Sequence, residues 1–349
     1  MTICAARVKF WLFSFLFAFV ALAPNWAAAD DLRRPFDRIV VFGDSLSDPG
    51  NAFELNGGQT VSPPDYGMSG VDPATGIPDV ISLVPTAPYA SHRFSNGRTW
   101  IEDLAAAVGL PQNARPAFVG SDGRASNYAV GGATAFGTRA VDLSGQVDNF
   151  FLDFDVQHKG ASSDVLYIIA IGGNDVRAAL TAGPGVLTVA LTSVAQNIQK
   201  LYGAGARHFL VWSAPDVGRT PALQRLNTFV APGIAAGATA LSAGYNQNLQ
   251  GVLQGLGAAL PGITIVPFDA FGLLAQVQQN PRRFGLIDAT SACIEPNVPQ
   301  FGFPSSPPFR CTQQDRFFFW DGIHPTRAGH AVIAIEVGKT LIGAVLHDL

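Results

Sequence analysis

The stretch VVFGDSLSDPGN, residues 40–51, sets a very apolar run against an abrupt Gly43-Asp44-Ser45. Strands commonly stop at turns of Gly, Asp and Ser, so the triplet alone reads as a turn. Its meaning depends on the residues that end the other apolar runs of the chain.

Four such runs read as strands: Ile39 to Phe42, Val165 to Ile171, His208 to Ser213 and Ile263 to Phe268. They are rich in β-branched and aromatic residues without polar alternation, which fits strands covered on both faces. Amphipathic segments lie between them. Leu187, Leu191, Val194, Ile198 and Leu201 recur at spacings of three and four and form one helix face. Residues 98–109 and Ile234 to Leu256 also read as helical. Pro325 to Leu346 reads as a closing helix, apolar on most sides, with Pro325 at its first position. This order predicts an α/β fold with a mostly parallel sheet between helices. Two segments break the alternation, residues 53–95 and 289–318, and are expected to be insertions at the rim of the sheet. No internal repeat or linker divides the chain.

Open α/β sheets build their sites beyond the carboxyl ends of the strands. Gly43-Asp44-Ser45 follows the first run, and Gly131-Gly132 follows a short run at Tyr128 to Val130. Gly172-Gly173-Asn174-Asp175 ends another, and Asp321-Gly322-Ile323-His324-Pro325 follows the aromatic run 317–320. Together these are the parts that ester hydrolysis needs. A serine hydroxyl is a weak nucleophile until a neighbouring imidazole takes its proton. The imidazole needs a carboxylate to fix its tautomer, and Asp321 lies three residues before His324 across a glycine. The backbone N–H groups of Ser45 and Gly132 and the amide of Asn174 would face the oxyanion. Asp44 is expected to hold the turn, Asp48 and Asn51 to brace the loop and the helix start, and Asp175 to act as a supporting partner or cap. His92, His158, His208, His330 and His347 are assigned structural roles.

Four strips, FGDSLSDPGN, NYAVGGA, IGGND and DGIHPT, occur in the order and wide spacing of the GDSL lipase/esterase family, or SGNH hydrolases. The resemblance runs from residue 38 to about 345. It implies a three-layer flavodoxin-like fold, Ser45 as nucleophile, Gly132 and Asn174 as oxyanion donors, and Asp321 with His324 completing a triad. Through RFSNGRTWIEDLA at 93–105 the chain resembles the bacterial secreted branch. Some members of that branch carry a C-terminal autotransporter barrel, whereas this chain resembles the free secreted or periplasmic members.

Composition agrees with an exported hydrolase. Arg7 and Lys9 precede an apolar run from Phe10 to Ala23, and Ala27-Ala28-Ala29 supplies small residues before Asp30. This is the pattern of a cleaved signal peptide over residues 1–29, leaving 30–349 as one hydrolase domain. The run is shorter than the ~20 residues that span a bilayer. Removing that segment leaves 20 Lys and Arg against 26 Asp and Glu, a balance of −6 that does not suit a nucleic-acid partner. No later stretch is apolar enough to span a membrane. Cys293 and Cys311 remain, and in an oxidising compartment a disulfide is the expected state for that pair.

No Gly-x-Ser-x-Gly elbow, His-Glu-x-x-His motif or P-loop occurs, and no metal or cofactor is expected. The implied substrate is a small-molecule or lipid ester. Acyl transfer to an alcohol, phospholipid hydrolysis and sugar deacylation are alternatives within the same chemistry. A non-catalytic binding protein is disfavoured because Ser45, Asp321 and His324 are all present. The insertion at 53–95 and the Phe-rich loop at 301–320 are expected to wall an acyl site and to favour medium or long chains.

Overall fold

A computed structural model describes residues 36–61, 84–118, 123–157, 161–294 and 311–347. The proposed signal segment, His158 and parts of both insertions lie outside them. The chain begins with β1 (Arg38–Gly43), α1 (Asn51–Leu55), β2 (Thr60–Val61) and β3 (Val84–Pro85). It continues through α2 (Trp100–Ala107), α3 (Leu143–Gln157), β4 (Val165–Ala170), α4 (Gly173–Ala182) and α5 (Gly185–Gly203). Next come β5 (His208–Trp212), α6 (Pro221–Phe229), α7 (Ile234–Ala259), β6 (Thr264–Phe268) and α8 (Ala270–Gln279). It closes with β7 (Asp288–Ala292), β8 (Phe317–Phe319) and α9 (Arg327–His347).

The central sheet is parallel, in the order β1-β4-β5-β6. A fifth segment pairs with the free edge of β1. Val41 N–H donates to Ser126 O at 2.9 Å and Tyr128 N–H to Val41 O at 2.8 Å. Counting that segment second along the chain gives the order 2-1-3-4-5 of flavodoxin-like folds, whose ligand crevice opens where the winding reverses, here between β1 and β4.

Side chains along each strand alternate between two cores, as the pleat requires. Val40 and Phe42 of β1, Tyr167 and Ile169 of β4, and Phe209 and Val211 of β5 pack with α3, α4, α5 and α7. Ile39, Val41, Leu166, Ile168, Leu210 and Trp212 pack on the other face with α2, α8 and α9. Both faces are covered, which is why the strands lack polar alternation. The five-residue stripe expected on α5 is buried throughout.

The aromatic run 317–320 lies outside the central sheet: β8 pairs with β7 in a separate two-stranded sheet. One expectation is corrected. Pro325 does not open the last helix, because it bridges back to Phe319 and α9 begins at Arg327. α9 is also less enclosed than its composition suggests. Val332, Ile333, Ala334 and Val337 are buried, but Ile335 and Ile342 stand open to solvent.

Buried polar groups set the shape of the rim. Asp48 accepts from the N–H groups of Gly50, Asn51 and Ala52, and from Gly131 across the rim at 2.8 Å. Asn51 Nδ2 donates to Asn127 O and Ala129 O. Asp48 and Asn51 thus brace the loop after β1, and they also tie it to the 126–132 segment. Gln146 of α3 extends the sheet pattern at the end of β1, accepting from Gly43 N–H and donating to Gly43 O, both at 2.8 Å. Asp175 accepts from the N–H groups of Ala135 and Phe136. Cys293 and Cys311 form a disulfide that packs with Tyr89, Ile294 and Trp320.

The rim and the disulfide each have a measurable consequence. Burial pushes the Asp175 carboxyl up to about 7, with the backbone donors only partly offsetting it. The folded state therefore prefers the neutral acid, and this contribution to stability is complete below about pH 4 and lost as pH rises through about 7. Over that window the decline is on the order of 4 kcal/mol, at about 1.4 kcal/mol per pH unit. Denaturant unfolding of Asp175→Asn should show a much flatter decline than wild type; parallel curves would contradict the assignment. The disulfide closes a separation of 18 residues, worth about 3 kcal/mol. Cys293→Ala/Cys311→Ala should lose that much in unfolding free energy. Thiols at either position, titrated in unreduced, denatured wild type, would exclude the bond.

Candidate active site

Ser45 stands just past the end of β1. The approach is tight, since a Cβ on Gly43 would lie 2.7 Å from Ala170 O of β4. Only glycine lets the two strand ends remain paired as the chain turns into the serine. The turn is closed by Asp44, whose Oδ1 accepts from Leu46 N–H at 3.0 Å and whose carbonyl accepts from Ser47 N–H. Burial pushes the Asp44 carboxyl up to about 6, against the pull of that N–H and of the His324 and Arg177 charges. Ser47 Oγ accepts from Trp100 Nε1 at 3.0 Å, which fastens the loop to α2.

His324 arrives on the short connection between β8 and α9. Trp320 N–H donates to His324 O at 2.7 Å and Thr326 N–H to Phe318 O at 2.8 Å, which closes the connection into a tight turn. Within it Asp321 Oδ1 accepts from Ile323 N–H at 2.8 Å and from His324 N–H at 2.6 Å. Its other oxygen, Oδ2, lies 2.7 Å from His324 Nδ1. His324 Nε2 lies 2.9 Å from Ser45 Oγ, 279 residues away in sequence. A carboxylate accepts only, so Nδ1 carries the proton and Nε2 is left to accept from the serine hydroxyl. Burial alone would raise the Asp321 carboxyl. The facing His324 and the N–H groups of His324 and Ile323 instead hold it below the usual carboxylate range. Asp321 and His324 are buried, while Ser45 is half-buried.

The two candidate donor loops are tied to each other, and one of them to Asp48 in the loop that carries Ser45. Gly131 N–H is held by Asp48, and Gly132 takes a φ of +79°, in the left-handed region. Asn174 opens α4, donates through Nδ2 to Ala133 O at 2.9 Å, and accepts at Oδ1 from Arg177 at 3.4 Å. These partners fix the amide's orientation and leave the second Nδ2 proton uncommitted to either of them. Ser45, Asp321 and His324 are thus linked directly by hydrogen bonds, whereas Gly132 and Asn174 are linked through Ala133.

Several residues that the sequence did not single out complete the arrangement. Tyr89, from the first insertion, donates its hydroxyl to Asp321 Oδ2 at 2.8 Å, and its ring packs edge-on against Trp320. Phe94 stacks on the His324 ring with centroids 5.4 Å apart. Phe94 also occupies the space that a side chain at position 131 would need, so Gly131 is required there. Ser95 Oγ donates to Pro325 O at 2.8 Å. Phe94 and Ser95 belong to the strip at 93–105, but Tyr89 sits in a Pro- and Gly-rich stretch with no pattern to mark it.

Three other histidines lie away from this chain of hydrogen bonds. His92 stacks on Phe53, His208 meets Phe36, and His330 is buried, where desolvation and the nearby His324 hold it down to about 3. Among the described residues no group of His, Cys, Asp and Glu is placed to hold a metal ion, and no helix is long and apolar enough to cross a membrane.

Known proteins are similar to this chain over most of its length. The sequence profile of the GDSL-like lipase/acylhydrolase family matches residues 39–337. A GDSL esterase/lipase of Arabidopsis thaliana is 26% identical over 321 residues, spanning 84% of this chain and 83% of the relative. A second from that plant is 25% identical over 327 residues, covering 85% and 89%. A third is 28% identical over 361 residues, covering 93% and 89%. With nearly all of the fold inside the matched region, and the strand-end serine and the histidine turn both within it, the chain belongs to the GDSL-like lipase/acylhydrolase family.

Proposed function

We propose that this ester hydrolase works as a serine esterase through Ser45, His324 and Asp321, by way of an acyl-enzyme. The observation that carries the reading is the unbroken chain from Ser45 Oγ to His324 Nε2, and from His324 Nδ1 to Asp321 Oδ2, at 2.9 and 2.7 Å. As Ser45 Oγ attacks the ester carbonyl, its proton passes to His324 Nε2. The imidazolium that forms faces the Asp321 carboxylate. Collapse of the tetrahedral intermediate breaks the bond to the alcohol oxygen, which leaves with the proton from Nε2. Water then repeats the sequence on the acyl-enzyme, and the acid departs with Ser45 restored.

The negative oxygen of each intermediate is met by the Ser45 and Gly132 N–H groups and by the second Nδ2 proton of Asn174. No metal or cofactor takes part in this scheme. One oxyanion donor is typically worth about 3 kcal/mol. The enzyme is proposed to act outside the cytoplasm, secreted or periplasmic, after cleavage before Asp30. The Arg7–Lys9 start, the apolar run to Ala23 and the Cys293–Cys311 disulfide support that location.

Hydrolysis of p-nitrophenyl acetate and butyrate by the purified protein tests the reading. Ser45→Ala and His324→Ala should each lose at least about a thousandfold in kcat while remaining folded, and Asn174→Ala about a hundredfold. Wild-type turnover in Ser45→Ala would reject the nucleophile. Tyr89→Phe separates positioning from packing, because it keeps the ring on Trp320 and removes one donor from Asp321 Oδ2. With fewer donors to share, Asp321 pairs more strongly with the imidazolium. The acidic limb of the kcat/KM profile should therefore shift upward, with kcat down several-fold and KM little changed. A profile superimposable on wild type would make Tyr89 a packing residue only.

A further inference from the structure

An apolar cavity is lined in part by the immediate chain neighbours of Ser45 and of His324. Leu46 follows the serine, Ile323 and Pro325 flank the histidine, and all three line it. From there it reaches Trp212 and Phe268, the last residues of β5 and β6, and Ala270 and Leu274 on α8. Thr220 also lines it, but its hydroxyl already donates to Val217 O at 2.7 Å. The cavity therefore has almost nothing to offer a polar group and suits a hydrocarbon.

Two parts of an ester could enter it. The alcohol must leave before water takes its place, whereas the acyl group stays bonded to Ser45 through both half-reactions. A recess between strand ends and helices suits the part that stays. Its volume is about 50 Å³. One water-sized group needs at least roughly 10–15 Å³, so the recess has room for only a few such groups. We propose that this cavity is the acyl-chain site and fits only a few carbons, making short-chain esters the preferred substrates. This rests on the serine-esterase reading above. It replaces the expectation of medium or long chains, although Phe318 and Phe319 from the aromatic run do line the recess.

Two substitutions resize the cavity in opposite directions. Ala270→Leu adds three carbons to the lining, and Leu274→Ala removes three. The probes are p-nitrophenyl esters from acetate to dodecanoate, compared by kcat/KM in folded wild type and both variants. Each buried methylene is worth about fourfold, so wild type should rise about fifteenfold from acetate to butyrate. It should then fall at least about tenfold by octanoate as the recess overfills. Ala270→Leu should move the optimum to acetate, and Leu274→Ala should move it two or three carbons longer. In parallel, calorimetric titration of Ser45→Ala with 1-butanol reads the cavity without turnover, and adding Ala270→Leu should weaken that binding at least tenfold. Unchanged chain-length profiles alongside Ser45-dependent hydrolysis would overturn the cavity assignment and leave the triad standing. Absent hydrolysis alongside butanol binding sensitive to Ala270→Leu would support the cavity and reject the triad. Butanol binding unaffected by Ala270→Leu would count against the cavity in either case.

Discussion

The Asp321 carboxylate is the constraint on which the site depends. Buried and anionic, it must be satisfied by donors, and its oxygens meet two backbone N–H groups, one imidazole N–H and one phenol. Two of these donors come from its own turn, which fixes the backbone at His324. The third orients the imidazole. The fourth, Tyr89, comes from an insertion 232 residues away, so the carboxylate anchors that insertion against the end of the fold. Leaving a buried charge underpaired is costly, and this coupling explains why the turn, the ring and the insertion hold one arrangement.

The rest of the rim obeys the same logic with different groups. The strand ends must stay paired while the loops reverse, which requires glycine where Gly43 meets Ala170 O and where Gly131 meets Phe94. Backbone groups freed by the reversals are collected by buried side chains: Asp48, Asn51, Gln146 and Asp175 among them. The raised carboxyls of Asp44 and Asp175 record the cost of placing acids there. Stability is given up at this rim so that the loops carrying Ser45, Gly132 and Asn174 are held relative to one another.

Much of this was legible in the sequence, for identifiable reasons. Doubly covered strands are long apolar runs, and all four central strands were visible as such. The α5 stripe was visible because one face of that helix is buried along its length. The four polar loops could be found because each comes directly after an apolar run. The parts that stayed hidden depended on distant contacts. The phenol of Tyr89 gains its meaning from a carboxylate far along the chain. Gln146 completes the end of β1 from within a helix of weak apolar pattern. The aromatic run 317–320 is as apolar as a central strand, yet it pairs with β7 because the disulfide and the turn into Asp321 hold it apart. Pro325 suited a helix start, but its carbonyl is committed to Ser95 and its backbone to Phe319.

The central claim is that Ser45 becomes covalently acylated. The most direct measurement treats the folded enzyme with a p-nitrophenyl alkylphosphonate and maps the modified residue by peptide mass spectrometry. The account predicts one phosphonyl group per chain, on the peptide containing Ser45, with p-nitrophenolate released in equal amount. Inactivation with the label on another residue, or full hydrolytic activity in protein that takes up no label, would contradict it.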